Sequence, residues 1–184
     1  EIFKGATSLN REYIKSWSPT AIRNKKFTNK ELKQAVKDWC DDSATAEVLY
    51  GHISGWDVSK VWDMSELFKD MSDFCEDISS WDVSNVEHME RTFMNASKFN
   101  VDLGSWNTVN VCNMKETFLF ASAFNGDIGS WNTGNVWCME GMFRGAEVFC
   151  QDIGSWNTGN VRDMQGMFQG AKMFNIDISS WNTA

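Results

Sequence analysis

Apolar residues recur along this chain at a fixed interval of 25. Trp56, Trp81, Trp106, Trp131, Trp156 and Trp181 set the period; Ile53, Ile78, Leu103, Ile128, Ile153 and Ile178 stand three before them, and Val61, Val86, Val111, Val136 and Val161 five after. Met64, Met89, Met114, Met139 and Met164 lie eight after the Trp, and two phenylalanine columns run from Phe68 and Phe74 to Phe168 and Phe174. A period of this length is the signature of stacked units that contact only their neighbours, a solenoid. Within a unit such as Val86, Met89, Phe93 and Ala96, the apolar spacing of three, four and three is one face of a short helix. Around each Trp, small polar residues separate isolated apolar ones, which predicts a short strand. Asn85, Asn110, Asn135 and Asn160, directly before the valines, read as helix N-caps.

The opening of the chain departs from this pattern. Phe3 to Asn10 matches the tail of a unit, and Ile14, Trp17 and Ile22 hold the expected mutual spacing, so residues 1–22 read as the tail of a preceding array. Residues 23–52 read as a helical cap or linker: Thr28 and Glu31 form a capping-box pattern, Leu32, Ala35, Val36 and Trp39 follow at helical spacing, and Gly51 ends the segment. Residues 53–184 are then the repeat solenoid, five full coils and a partial sixth. The cap is expected because a terminal coil would otherwise expose its core-facing aromatics. Both ends fall within a unit, which reads as a window on something longer.

The unit Phe-Asn, two residues, Ile-Ser-Ser-Trp-Asp-Val-Ser-Asn-Val, two residues, Met, three residues, Phe resembles the 25-residue repeat of the BspA-like leucine-rich-repeat surface proteins, also called the mycoplasma-type lipoprotein or surface-protein repeat. The resemblance covers about three quarters of the chain. It implies a right-handed, leucine-rich-repeat-like solenoid (short strand plus helical turn per coil) with an α-helical capping segment, used for attachment or protein contact at a cell surface or after secretion. It implies no chemistry. Cys75 and Cys150 depart from it by replacing the Asn after the second Phe, and Asn-Thr replaces Asp-Val after Trp106, Trp131, Trp156 and Trp181.

Charge narrows the partners. The net charge is −8, with nine Lys/Arg against seven Asp/Glu in residues 1–50 and eight against eighteen in residues 51–184. An acidic array is a poor match for nucleic acid, whose phosphates need a basic surface. No membrane-spanning apolar run is present. One acidic column, Asp77, Asp102, Asp127, Asp152 and Asp177, lies four before the Trp and would align like charges along one face. Calcium between coils would relieve that repulsion, but ligand-dense calcium loops are missing and His52 breaks the column. The simpler reading is that each Asp accepts amides or Ser hydroxyls of its own turn. A Thr ladder (Thr108, Thr133, Thr158, Thr183) also reads as structural.

The repeat tryptophans read as a buried spine. Trp62 and Trp137 lie off the columns, six after Trp56 and Trp131, and are the candidates for a partner-binding hot spot. Five cysteines with no Cys-x-x-Cys, and two histidines, make no zinc site. Cys112 and Cys138 fall in near-adjacent slots of neighbouring coils, within reach of a disulfide, with free half-buried thiols as the default reading. Asn95-Ala96-Ser97 is a lone glycosylation sequon. Nothing resembles a nucleophile elbow, a phosphate loop or a distinctive carboxylate pair, so neither an enzyme nor a cofactor is expected. The function expected is a non-enzymatic protein-interaction or adhesion module of a longer surface or secreted protein. The alternative is a structural or linker subunit of a larger multi-protein assembly.

Overall fold

The computed structural model describes residues 25–182. The tail assigned to residues 1–22, and Thr183 of the Thr ladder, lie outside the described residues. Two helices lead the described residues, α1 (Asn29–Asp41) and α2 (Ser43–Tyr50), followed by a 3-10 turn at Ile53–Gly55. Thr28 caps α1 in a complete capping box with Glu31, and Leu32, Ala35, Val36 and Trp39 form its buried face. Asp42 ends α1 and caps α2, its carboxylate accepting the Thr45 N–H at 3.2 Å. Gly51, at φ 76°, closes α2. The helices cover the first repeat unit through Trp56, whose ring meets Phe27 at 5.1 Å, Trp39 at 5.9 Å and Tyr50 at 5.9 Å.

Beyond Gly55 the expected strand-plus-helix solenoid does not form. Among the described residues the repeats contain neither an α-helix nor a strand; they are successions of turns joined by single-residue parallel bridges, Asp63↔His88, His88↔Asn113, Asn113↔Cys138 and Cys138↔Asp163. The segment read as helical shows why. In unit two, Thr92 N–H bonds to Met89 C=O, Met94 to Arg91 and Ala96 to Phe93, all steps of three. The amides between them, Met89, Arg91, Phe93 and Asn95, donate instead to Asn113, Lys115, Thr117 and Leu119 of the next unit. An α-helix would return every amide to its own chain four residues back. Here half of them stitch neighbouring units together.

Alternation of this kind needs left-handed residues. The first and third of the three turns in each unit carry φ between 53° and 78° at their third residue: Glu66 and Asp70, Arg91 and Asn95, Glu116 and Phe120, Gly141 and Gly145, Gly166 and Gly170. Non-glycine residues there cost roughly 1–2 kcal/mol each. Aromatic stacking and the inter-unit bonds offset that. Phe68, Phe93, Phe118, Phe143 and Phe168 stack at 5.3–5.7 Å within 5° of parallel, and within each unit the two Phe rings stack at 3.8–4.2 Å. Such pairs add about 0.5–1.5 kcal/mol beyond the area they bury. The spacing of three, four and three is thus real, but turns bring the same side chains inward as a helix would.

Tryptophan completes the core. The six repeat tryptophans are 2–7% exposed. Each indole from Trp81 to Trp181 donates to the carbonyl of the aliphatic residue 28 earlier, as Trp131 does to Leu103 at 2.9 Å. A buried indole N–H needs such a partner, so the Trp column doubles as a hydrogen-bonded seam.

Candidate functional site

Most polar columns are consumed by the scaffold. The hydroxyls of Ser80, Ser105, Ser130, Ser155 and Ser180 donate to carbonyls of the preceding unit at 2.6–3.4 Å. Asn85, Asn110, Asn135 and Asn160 do the same through Nδ2 at 2.6–2.8 Å and cap no helix. Thr108, Thr133 and Thr158 donate forward to Asn132, Asn157 and Asn182 carbonyls at 3.0–3.1 Å. No buried side-chain nitrogen or oxygen among the described residues lacks a partner.

The acidic column is spent in the same way. Asp77 accepts the Ser79 amide at 2.9 Å and its hydroxyl at 2.6 Å; Asp127, Asp152 and Asp177 accept the amides of Gly129, Gly154 and Ser179 at 2.9 Å, and Asp102 accepts the Asp127 amide at 2.9 Å. The Ser79 hydroxyl and then its amide pull the Asp77 carboxyl below its ordinary value, and the Ser179 amide and hydroxyl do so for Asp177. At Asp77, Asp127, Asp152 and Asp177 these are Asx turns, whereas the Asp102 bond crosses to the next unit. Among the described residues no three donors of this column lie close enough to share a cation. Asn95 of the sequon sits in a left-handed turn and donates to Asp70 at 2.6 Å.

What the scaffold leaves unassigned is a double column six and seven residues after each Trp. Backbone bonds of 2.8–2.9 Å run from Glu87 to Trp62, Cys112 to Glu87, Trp137 to Cys112 and Arg162 to Trp137, so these positions form a short parallel ladder. Neighbouring residues in extended backbone point to opposite sides. The sixth position, Trp62, Glu87, Cys112, Trp137 and Arg162, therefore faces outward, with Trp62 51% and Trp137 45% exposed. The seventh, Asp63, His88, Asn113, Cys138 and Asp163, is buried or half-buried along the bridges. Asn29 at the start of α1 fixes the first rung by accepting the Trp62 amide at 3.1 Å, and the Trp62 ring meets His88 edge-on at 6.0 Å.

The disulfide considered between Cys112 and Cys138 is not formed, in keeping with the default reading of free thiols. Cys112 and Cys138 are both free thiols. They occupy different rungs, since Cys138 bridges Asn113 while Cys112 lies on the outward position and reaches His88 Nδ1 at 3.8 Å. Cys40 of α1 donates to the Met71 sulfur at 3.1 Å and lines, with Cys75, a cleft of about 740 Å³ between α1 and the first unit. Burial, reinforced by Asp41 and Glu76, pushes the Cys40 thiol up to about 11.

Two groupings here escaped sequence reasoning. One is His88 with Cys112. The other is Cys138, Glu140 and Asp163, whose donor atoms lie within 4.8 Å of one another. Burial raises the Cys138 thiol above its ordinary value, and the Lys115 ammonium holds Glu140 in an ion pair. The signal that would have found both is irregularity: the seventh position is polar in every unit yet changes from Asp to His, Asn, Cys and Asp.

No described helix is long and apolar enough to cross a membrane. Comparison with curated proteins returns no match, and neither does comparison with solved structures. Residues 44–121 and 102–184 match the family described as "Mycoplasma protein of unknown function, DUF285". The two matches overlap and together span α2 from its second residue and the whole stacked array after it, well over half of the chain, which therefore belongs to this family.

Proposed function

We propose that the chain is a non-enzymatic protein-contact or adhesion module of a longer surface or secreted protein, of the BspA-like kind, and that its partner binds along the outward column Trp62, Glu87, Cys112, Trp137 and Arg162. One observation carries this reading: two large aromatic side chains, Trp62 and Trp137, stand about half exposed on a scaffold that buries all six of its repeat tryptophans. Exposed Trp is over-represented among residues that dominate interfaces. Nothing in the stacking needs an aromatic there, because Glu87, Cys112 and Arg162 fill the same position with the ladder intact. The remaining polar columns are already bonded within their own turns or to neighbouring units, which leaves them little capacity for a ligand.

The test is purification from the native source with mass spectrometry of co-purifying chains, repeated with the double variant Trp62→Ala, Trp137→Ala. Loss of a specific partner, with thermal stability unchanged, supports the reading. Retention of the same partner by the double variant, or recovery of the protein alone from its native source, overturns it. Fixed neighbours held through other faces would favour the structural subunit of an assembly instead.

A further inference from the structure

We propose that Cys138, Glu140 and Asp163 form a binding site for one divalent, borderline-soft transition ion of the zinc class. The three donors come from two consecutive units whose spacing is locked: Cys138 bridges Asp163, the Met139 amide donates to the Asp163 carbonyl at 2.8 Å, and the Gly141 amide to the Gln165 carbonyl at 2.9 Å. Their mutual distances are within 4.8 Å. A tetrahedral ion with sulfur at about 2.3 Å and oxygen at about 2.0–2.2 Å brings its ligands to about 3.4–3.6 Å apart. Closing that gap takes side-chain shifts on the order of 1 Å, available to Glu140 and Asp163 because both are half-buried.

The repeat itself supplies the control. At the seventh position Asp63, Asn113 and Asp163 each use a carbonyl or carboxylate oxygen to accept the amide two residues on, at 2.8–2.9 Å. Three of the five turns thus close on a side-chain oxygen, and His88 and Cys138 are the exceptions. Cys138 puts a sulfur there, a poorer acceptor for the Glu140 amide, and buries it to 3% exposure with two carboxylates facing it. As a turn former the thiol is a weaker acceptor than Asp or Asn. It does bring a soft ligand, and one sulfur with two oxygens suits a zinc-class ion better than calcium or magnesium.

On binding, the Cys138 S–H bond breaks, its proton leaves to solvent and a sulfur–metal bond forms. Glu140 exchanges the Lys115 ammonium for the ion, Asp163 supplies the third ligand and water the fourth. Lys115 is therefore the site's competitor and counter-charge.

Cobalt(II) is the probe, titrated into the full chain under a non-thiol reductant. A saturable one-to-one thiolate-to-cobalt charge-transfer band is expected, undiminished by excess magnesium. Cys138→Ser should abolish the band, Asp163→Asn and Glu140→Gln should each weaken binding ~10-fold or more, and Lys115→Met should tighten it. Near-ultraviolet circular dichroism of the stacked tryptophans reports folding. Should Cys138→Ser fail to fold, the two carboxylate variants decide. Absence of the band, its survival in Cys138→Ser, or unchanged affinity in both carboxylate variants would overturn the site.

Discussion

Replacing Gly141 by Ala separates the turn-built unit from the helix that the apolar spacing predicts, because the sign of the effect differs. Inside a helix, Gly to Ala stabilises by about 0.8–1.0 kcal/mol. In this structure Gly141 has φ 58°, where an L side chain costs ~1–2 kcal/mol, against which stiffening the unfolded chain returns ~0.4–1 kcal/mol. The net is a destabilisation of roughly 0.5–1 kcal/mol. Sterics add little, since the new methyl would lie 3.2 Å from Glu116 Cγ on a half-buried chain able to give way. Gly166→Ala repeats the experiment at φ 65° with nothing nearer than the Gln169 side-chain oxygen at 3.6 Å, so it isolates the backbone contribution. Urea unfolding followed by tryptophan fluorescence reads both variants. If both are more stable than the parent, the left-handed turns are wrong and the helical reading returns.

Trp131→Phe should cost about 2–3 kcal/mol, combining the lost bond to the Leu103 carbonyl with the lost ring area in a column stacked at 6.3 Å on both sides. Equal stability in urea would mean that the indole seam is incidental. The double variant Trp62→Ala, Trp137→Ala should stay within ~0.5 kcal/mol of the parent per site, since both rings are about half exposed. Asp77 and Asp177 have folded values below their ordinary 3.8, so their contribution is complete above that pH and is lost as pH falls through the lower folded values. Stability measured from about pH 6 to about pH 2 should therefore fall at the acid end, and Asp77→Asn, which keeps the acceptor but not the charge, should flatten that fall. An identical acid slope in the variant would show that the turn carboxylates do not contribute.

Much of the array was readable beforehand, for a physical reason. A side chain that must stack on its own copy in the next unit repeats in sequence, so the Trp, Phe, Met and Val columns announced the core without any structure. The α1 capping box was equally legible, because Thr28 and Glu31 act within three residues of each other. The candidate site was legible only in part. Trp62 and Trp137 stood out by breaking the column, whereas the grouping of Cys138 and Glu140 with Asp163 depends on which rung faces which, and a one-residue offset reverses that.

The sequence by itself therefore determined the period, the inward-facing set and the helical character of the segment ahead of the first unit, all of which follow from local spacing or self-similarity. Tertiary structure decided where the amides go. Spacings of three and four are shared by a helix and by a run of turns, and what separates them is the partner of every second N–H. That partner lies 24 residues onward in the neighbouring unit, so the choice is made by stacking, through left-handed residues such as Glu116 and Phe120 that no local preference would have placed there. The same stacking places Cys138 opposite Asp163.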